Sequence, residues 1–200
     1  MGAGEGSWGR NGSFGELAQL DKLLPGDLVI FWGEGERLVR TLFLCREGVM
    51  GRTYEWRWLF LDDGTLLEIS PDGYYRYRRH LLVKQGTPLY EELVAQDGAL
   101  VRFEERVRAG VSGRRPVHVT VEDETYRIAS TGTVTVERFG AEPDLACWRA
   151  FAPDPSENVY FGMVSVADEE RVALGLWTTH VCLSFGRPLR AADVDRVYQR

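Results

Sequence analysis

The sequence predicts an all-β fold, and three features carry that expectation. Apolar and polar residues alternate over most of the chain, turn-forming glycine pairs recur between the alternating runs, and only a few stretches keep helical spacing. About a dozen short strands of this kind suit two antiparallel halves, packed as a sandwich or as partly open barrels with one or two short helices.

In chain order, residues 1–15 form a glycine-rich tail with Trp8 and Phe14 as its large apolar groups, too polar to offset its ordering entropy. Gly15 to Leu24 suits a short helix stopped by Pro25-Gly26. Leu28 to Trp32 and Arg37 to Cys45 flank Gly33-Glu34-Gly35-Glu36 as a hairpin, and Arg46 to Thr53 reads as a connection. Next comes a hairpin dense in aromatics, Tyr54 to Leu61 and Thr65 to Ile69. A two-residue turn at Asp63-Gly64 sets Trp58 opposite Ile69 and Phe60 opposite Leu67. Period-two alternation then puts Tyr54, Trp56, Trp58 and Phe60 on one face. In that register Glu68 lies opposite Leu59 on the outer face, where Arg57 can bridge to it.

After the turn at Pro71-Asp72-Gly73, a strand runs over Tyr74 to His80, and Leu89 to Gln96 reads as helical. The first β half thus spans 16–96 and the second 97–200, together able to form one compact domain. In the second half, Val101 to Val111 alternates as a strand. Val117 to Val121 and Tyr126 to Ala129 pair across Glu122-Asp123-Glu124, and Thr133 to Phe139 alternates again. Ala146 to Phe151, Val159 to Val166 and Arg171 to Ser184 complete the strands, and Pro188 to Gln199 reads as helical. An offset of 90 residues aligns Val29 with Val119, Phe31 with Val121, Leu38 with Ile128 and Trp58 with Trp148, a faint internal repeat. The expected core draws on Trp32, Leu42, Trp56, Trp58, Phe60, Tyr126, Trp148, Phe161 and Trp177.

Several of these segments resemble a bacterial family known as domain of unknown function 4178. The resemblance rests on Gly26-Asp27 at a strand start, the Glu55-Trp56-Arg57-Trp58-Leu59 strand, and Val119 to Ile128. It continues through Thr131-Gly132-Thr133-Val134 and Gly140-Ala141-Glu142-Pro143, covering about residues 24 to 180. Trp56 stands where the family often has tyrosine, and Ala141 interrupts its Gly-Glu step. The resemblance implies an all-β bacterial domain, often encoded near polyamine-forming enzymes and small membrane proteins and associated with membrane stress. It brings no catalytic residues to this chain.

Net charge of −6 argues against general nucleic-acid binding, which depends on a basic surface. No run approaches the roughly 18 apolar residues of a membrane span, no charged-then-apolar leader is present, and Gly6 replaces the Ser or Thr of a myristoylation signal. Cys45, Cys147 and Cys182 are widely spaced within apolar runs, the pattern of buried free thiols in a reducing cytosol. The expected localisation is cytoplasmic, with a peripheral membrane association.

Chemistry-bearing constellations are sparse, and the expectation is a non-enzyme with no catalytic, metal or cofactor residues. His180 and Cys182 share a strand face, and with Cys147 or His118 they could bind zinc or seat a nucleophile, the basis of a third-ranked Cys–His hydrolase reading. Asp62-Asp63 and Asp168-Glu169-Glu170 lack calcium-loop spacing. Gly33 to Glu36 leads to a strand where a phosphate cradle needs a helix. The candidate binding feature is a ridge of Tyr74, Arg76, Arg78 and His80 on one strand face, cationic within an acidic chain, with Tyr75, Tyr77 and Arg79 behind it. Such a ridge suits a protein or anionic membrane-associated partner; a solvated edge guarded by arginines is its structural counterpart. The leading functional expectation is a binding or scaffold module, and the second is a small-ligand-binding β-barrel whose aromatics line a cavity.

Overall fold

The computed structural model describes residues 17–49, 51–111, 114–149 and 158–200, so the expected glycine-rich tail lies outside the described residues. The first half contains β1 (Leu28–Phe31), β2 (Gly35–Val49), β3 (Arg52–Leu61), β4 (Leu66–Ser70) and β5 (Gly73–Val83). Helices α1 (Pro88–Val94) and α2 (Ala99–Arg108) lead to β6 (His118–Val121) and β7 (Glu124–Gly140). A helical turn, α3 (Ala146–Arg149), precedes β8 (Asn158–Ser165), β9 (Val172–Trp177), β10 (Val181–Pro188) and β11 (Val194–Tyr198).

The all-β reading holds, and the strands share one antiparallel sheet in the order β11-β1-β2-β3-β4-β5-β10-β9-β8-β7-β6. A further pairing of β2 with β7 joins Thr41–Arg46 to Thr135–Gly140 and closes eight strands, β2 to β5 and β7 to β10, into a barrel. The order is palindromic. Strands β1 to β5 and β6 to β10 follow the same succession, and the halves meet antiparallel at β5–β10 and β2–β7. The 90-residue offset lands on equivalent strands at the start, since Val29 and Phe31 lie in β1 and Val119 and Val121 in β6. It is lost further on: Trp58 is in β3, whereas Trp148 is in α3.

Three apolar layers hold the barrel. Inside it, Phe43, Trp58, Phe60, Val134, Leu174, Leu176 and Cys182 surround Trp148, which α3 delivers into the lumen. Outside β3 and β4, Leu59, Leu61, Leu67 and Ile69 pack under Leu20, Leu23, Val29, Phe31 and Val194. Outside β8 to β10, Phe161, Met163, Leu183 and Phe185 pack under α1, α2 and β6. Of the expected core, Trp32 is 64% exposed and Trp177 is only partly buried; the rest are buried.

Five local expectations are corrected. Val101 to Val111 is mostly helix, because Ala99, Leu100 and Phe103 bury one helical face where strand alternation would have separated them. Pro188 to Gln199 ends in β11, because the free edge of β1 offers backbone partners from Leu28↔Tyr198 onward that a short helix could not replace. Arg46 to Thr53 is no loop: the β2–β3 ladder continues to Val49↔Arg52, and Arg46 bridges Glu55 and Glu137 on its flanks at 3.1 Å each. Ala146–Arg149 is a helical turn, and Arg171 to Ser184 divides into two strands. The cysteines are also rearranged. Cys147 and Cys182 form a disulfide, Cα atoms 5.4 Å apart, because α3 docks against β10; only Cys45 stays a buried free thiol. Among the described residues no helix is long and apolar enough to cross a membrane.

Candidate functional site

The aromatic hairpin is offset by one residue from its expected register. Leu61 N–H donates to Thr65 O and Gly64 N–H to Leu61 O, so Asp62-Asp63-Gly64 forms a three-residue loop. Gly64 occupies the left-handed region at φ 82°, the position a G1 bulge reserves for glycine. Trp58 therefore faces Glu68, and Phe60 faces Leu66. Since strand side chains alternate, one step moves a whole set of residues across the sheet. Glu68 leaves the outer face and enters the barrel. Arg57, its expected partner, instead donates to Leu23 O at 3.4 Å.

This shift builds a cavity of about 430 Å³ at one barrel mouth. Its wall includes Trp56 from β3, Glu68 and Ser70 from β4, Tyr75 and Tyr77 from β5, and Tyr160 and Val164 from β8. Glu47 from β2 and Asp72 from the β4–β5 turn complete its acidic lining. Tyr77 donates its hydroxyl to Glu68 Oε2 at 2.6 Å, and Tyr160 donates to Glu47 Oε2 at 2.8 Å. Gly132 makes the second bond possible: a side chain there would collide with the Glu47 carboxylate and the Tyr160 ring. The Trp56 ring lies 5.2 Å from that of Tyr160, centroid to centroid, and its buried indole N–H has no hydrogen-bond partner in the protein.

Glu68 sits deep within the barrel, with its remaining exposure turned onto the cavity. Burial pushes its carboxyl above the ordinary range; the Tyr77 hydroxyl and, more weakly, the Trp58 indole pull it down, and the Asp72 charge adds to the rise. Tyr77 and Tyr160 are pushed up by burial and by the neighbouring carboxylates, which keeps both hydroxyls protonated as donors. A carboxyl raised by folding holds its proton in the native state where the unfolded chain has released it. Its cost to stability therefore grows as pH rises from the ordinary value of 4.5 through the raised one. Glu68→Gln should accordingly stabilise the protein, with a margin over wild type that widens between about pH 4 and about pH 8. Urea denaturation midpoints at the two pH values check this; a constant margin would refute it.

The candidate ridge is dispersed. A bulge in the β5–β10 ladder, between Arg79↔Phe185 and Tyr77↔Gly186, leaves Arg78 unpaired and reverses the alternation beyond it. Tyr74, Arg76 and Arg78 stay outside, Arg79 joins them, and His80 turns inward. The shared face expected for Tyr74, Arg76, Arg78 and His80 is corrected accordingly. Arg76 is only 5% exposed, grips Glu34 with two bonds of 2.6 and 3.2 Å, and lies 3.8 Å from the centre of the Phe31 ring. Arg78 also pairs with Glu34, and Tyr74 donates to Asp21 at 3.4 Å. His80 Nε2–H donates to Gly64 O at 3.0 Å, while Nδ1 meets Ser184 Oγ at 2.8 Å. The Trp148 indole N–H donates to the same hydroxyl at 3.2 Å. This serine–histidine contact is a sealed hydrogen-bond chain, since Ser184 is fully buried. Cys182 is committed to Cys147, so it offers no thiol to His180, whose Nε2 lies 3.5 Å from Cys147 O.

Residue-type reasoning missed Glu68, Tyr75, Tyr77, Tyr160 and Glu47 as one site. The one signal for it was the third loop residue: Asp-Asp-Gly fits a three-residue bulged turn as well as Asp-Gly fits a two-residue one. Comparison of the chain with protein-family models, with curated proteins and with solved structures finds no match.

Proposed function

We propose that the protein is a small-ligand-binding β-barrel that acts through the cavity at the Trp56–Glu68–Tyr160 mouth. The carrying observation is an open cavity of about 430 Å³ walled by five aromatic side chains and three carboxylates. An eight-stranded barrel has room inside for one small ligand, and this volume lies within the range of small-molecule sites. The wall is held by its own hydrogen bonds, so the site is formed before a ligand arrives, and little ordering entropy is lost on binding. A partner-binding ridge is less well supported, because Glu34 takes up both Arg76 and Arg78.

The test is a thermal-shift and tryptophan-fluorescence screen against a mixed panel of cationic, neutral and anionic small molecules. Trp56 on the cavity wall serves as reporter. At least one member should raise the melting temperature and alter Trp emission. Val164→Trp, which fills the cavity from β8, should abolish both responses while leaving the circular dichroism spectrum unchanged. A panel with no binder, or binding that survives Val164→Trp in a folded protein, would remove the reading.

A further inference from the structure

We infer that the barrel cavity takes a small organic cation, its ammonium group set against Glu68 and its carbon skeleton held among Trp56, Tyr75 and Tyr160. The inference rests on the ligand-binding reading above and names the ligand class for that site.

Charge comes first. Glu47, Glu68 and Asp72 line the cavity, and no lysine, arginine or histidine does so among the described residues. Arg76 and Arg78 are engaged on Glu34, and Arg46 on Glu55 and Glu137; Arg127, across the ladder from Val164, flanks the cavity without lining it. An anion entering this mouth would meet three acidic side chains with no counter-charge on the lining, and the repulsion is greatest at Glu68, the one whose carboxyl is desolvated. A cation would meet the opposite field.

Hydrogen-bond capacity points the same way. A carboxylate can accept about four hydrogen bonds. Glu68 receives one in good geometry, from Tyr77, although it sits where water is largely excluded. An ammonium group brings donors and charge together, which is what a desolvated carboxylate lacks.

The walls supply the rest. Trp56, Tyr75, Tyr77 and Tyr160 surround Glu68, and aromatic faces attract organic cations through their quadrupole. A metal ion fits less well. Among the described residues no three carboxylate, cysteine or histidine groups converge on one point, so the three acidic side chains are spread along the wall. That spacing suits a cation with a body.

Binding is linked to a proton. The groups facing Glu68 are Trp58 on β3, Tyr75 and Tyr77 on β5, Asp72 in the turn, Cys45 on β2 and Tyr160 on β8 with its Glu47 partner; none is cationic. A protonated Glu68 must release its proton to pair with the ammonium, so affinity rises with pH until the carboxyl is ionised in the free protein.

The experiment is calorimetric titration of the whole protein with 2-phenylethylammonium and two isosteres, uncharged 2-phenylethanol and anionic 3-phenylpropanoate. The ammonium should bind at least about tenfold more tightly than the alcohol, and the carboxylate most weakly. In Glu68→Gln the ammonium should fall to about the affinity of the alcohol and lose its dependence on pH. Alcohol or carboxylate binding as tightly as the ammonium, with Val164→Trp abolishing it, would overturn the cation assignment and leave the ligand-binding reading standing. Failure of the ammonium to bind at all overturns the assignment, whatever else binds. If nothing in the wider panel binds either, the ligand-binding reading falls with it.

Discussion

Replacing Trp58 by alanine is expected to lower the unfolding free energy by roughly 3–5 kcal/mol, enough to unfold a marginal domain. The indole is fully buried and pairs across the ladder with Phe43 on one side and Glu68 on the other. Its ring meets Trp148 at 5.5 Å and Trp56 at 6.1 Å, both edge-to-face, so the loss includes two aromatic pairs as well as buried area. The void would open inside a closed barrel, where hydrogen-bonded walls cannot collapse to fill it. Equilibrium urea unfolding measures the effect. Trp32→Ala is the control, since a side chain 64% exposed should shift stability by no more than about 0.5 kcal/mol. A Trp58→Ala protein with an unchanged melting curve would remove Trp58 from the core.

The second large effect belongs to Glu34. It stands in the β1–β2 turn and reaches across to β5, tying β1 and its neighbour β11 to the barrel wall. Glu34→Ala leaves the Arg76 guanidinium buried with only the Phe31 ring beneath it. The expected cost is about 3 kcal/mol, the low end for breaking a buried pair, because Glu34 itself is one-third exposed. Adding Arg76→Met should recover most of that loss, since removing both charges leaves no orphan. No recovery in the double variant would show that the pair is not the source of the cost.

The same pair sets an acid response. Hydrogen bonds from Arg78 and then Arg76 hold the Glu34 carboxyl down at about 2, against an ordinary 4.5. Its stabilising contribution is complete above the ordinary value and disappears as pH falls through the lowered one. Between those two pH values wild type should lose stability more steeply than Glu34→Gln, as denaturant midpoints will show; parallel curves would refute the link.

Arg57 and Glu68 on the aromatic hairpin mark where strand alternation ceases to predict which way a side chain faces. Arg57 and Glu68 were expected as an exposed pair because a polar residue on an alternating strand normally faces water. Here the outer face of β3 and β4 is itself covered, by Leu20, Leu23, Phe31 and Val194, so Leu67 and Ile69 take that side and Glu68 takes the lumen. Tyr74 to His80 failed differently. Strict alternation ended at Arg78, where the bulge opposite Phe185–Gly186 adds one residue, and nothing local to β5 announces a bulge that its neighbour imposes.

Periodicity and turn chemistry act over a few residues, and they made the all-β class, most of the strands and most of the aromatic core legible in the sequence. Barrel closure through β2 and β7, the disulfide across α3 and β10, and the cavity around Glu68 were decided only by tertiary structure. Each depends on contacts between distant segments, and a one-residue choice of register in a single hairpin was enough to turn a surface carboxylate into the centre of the candidate site.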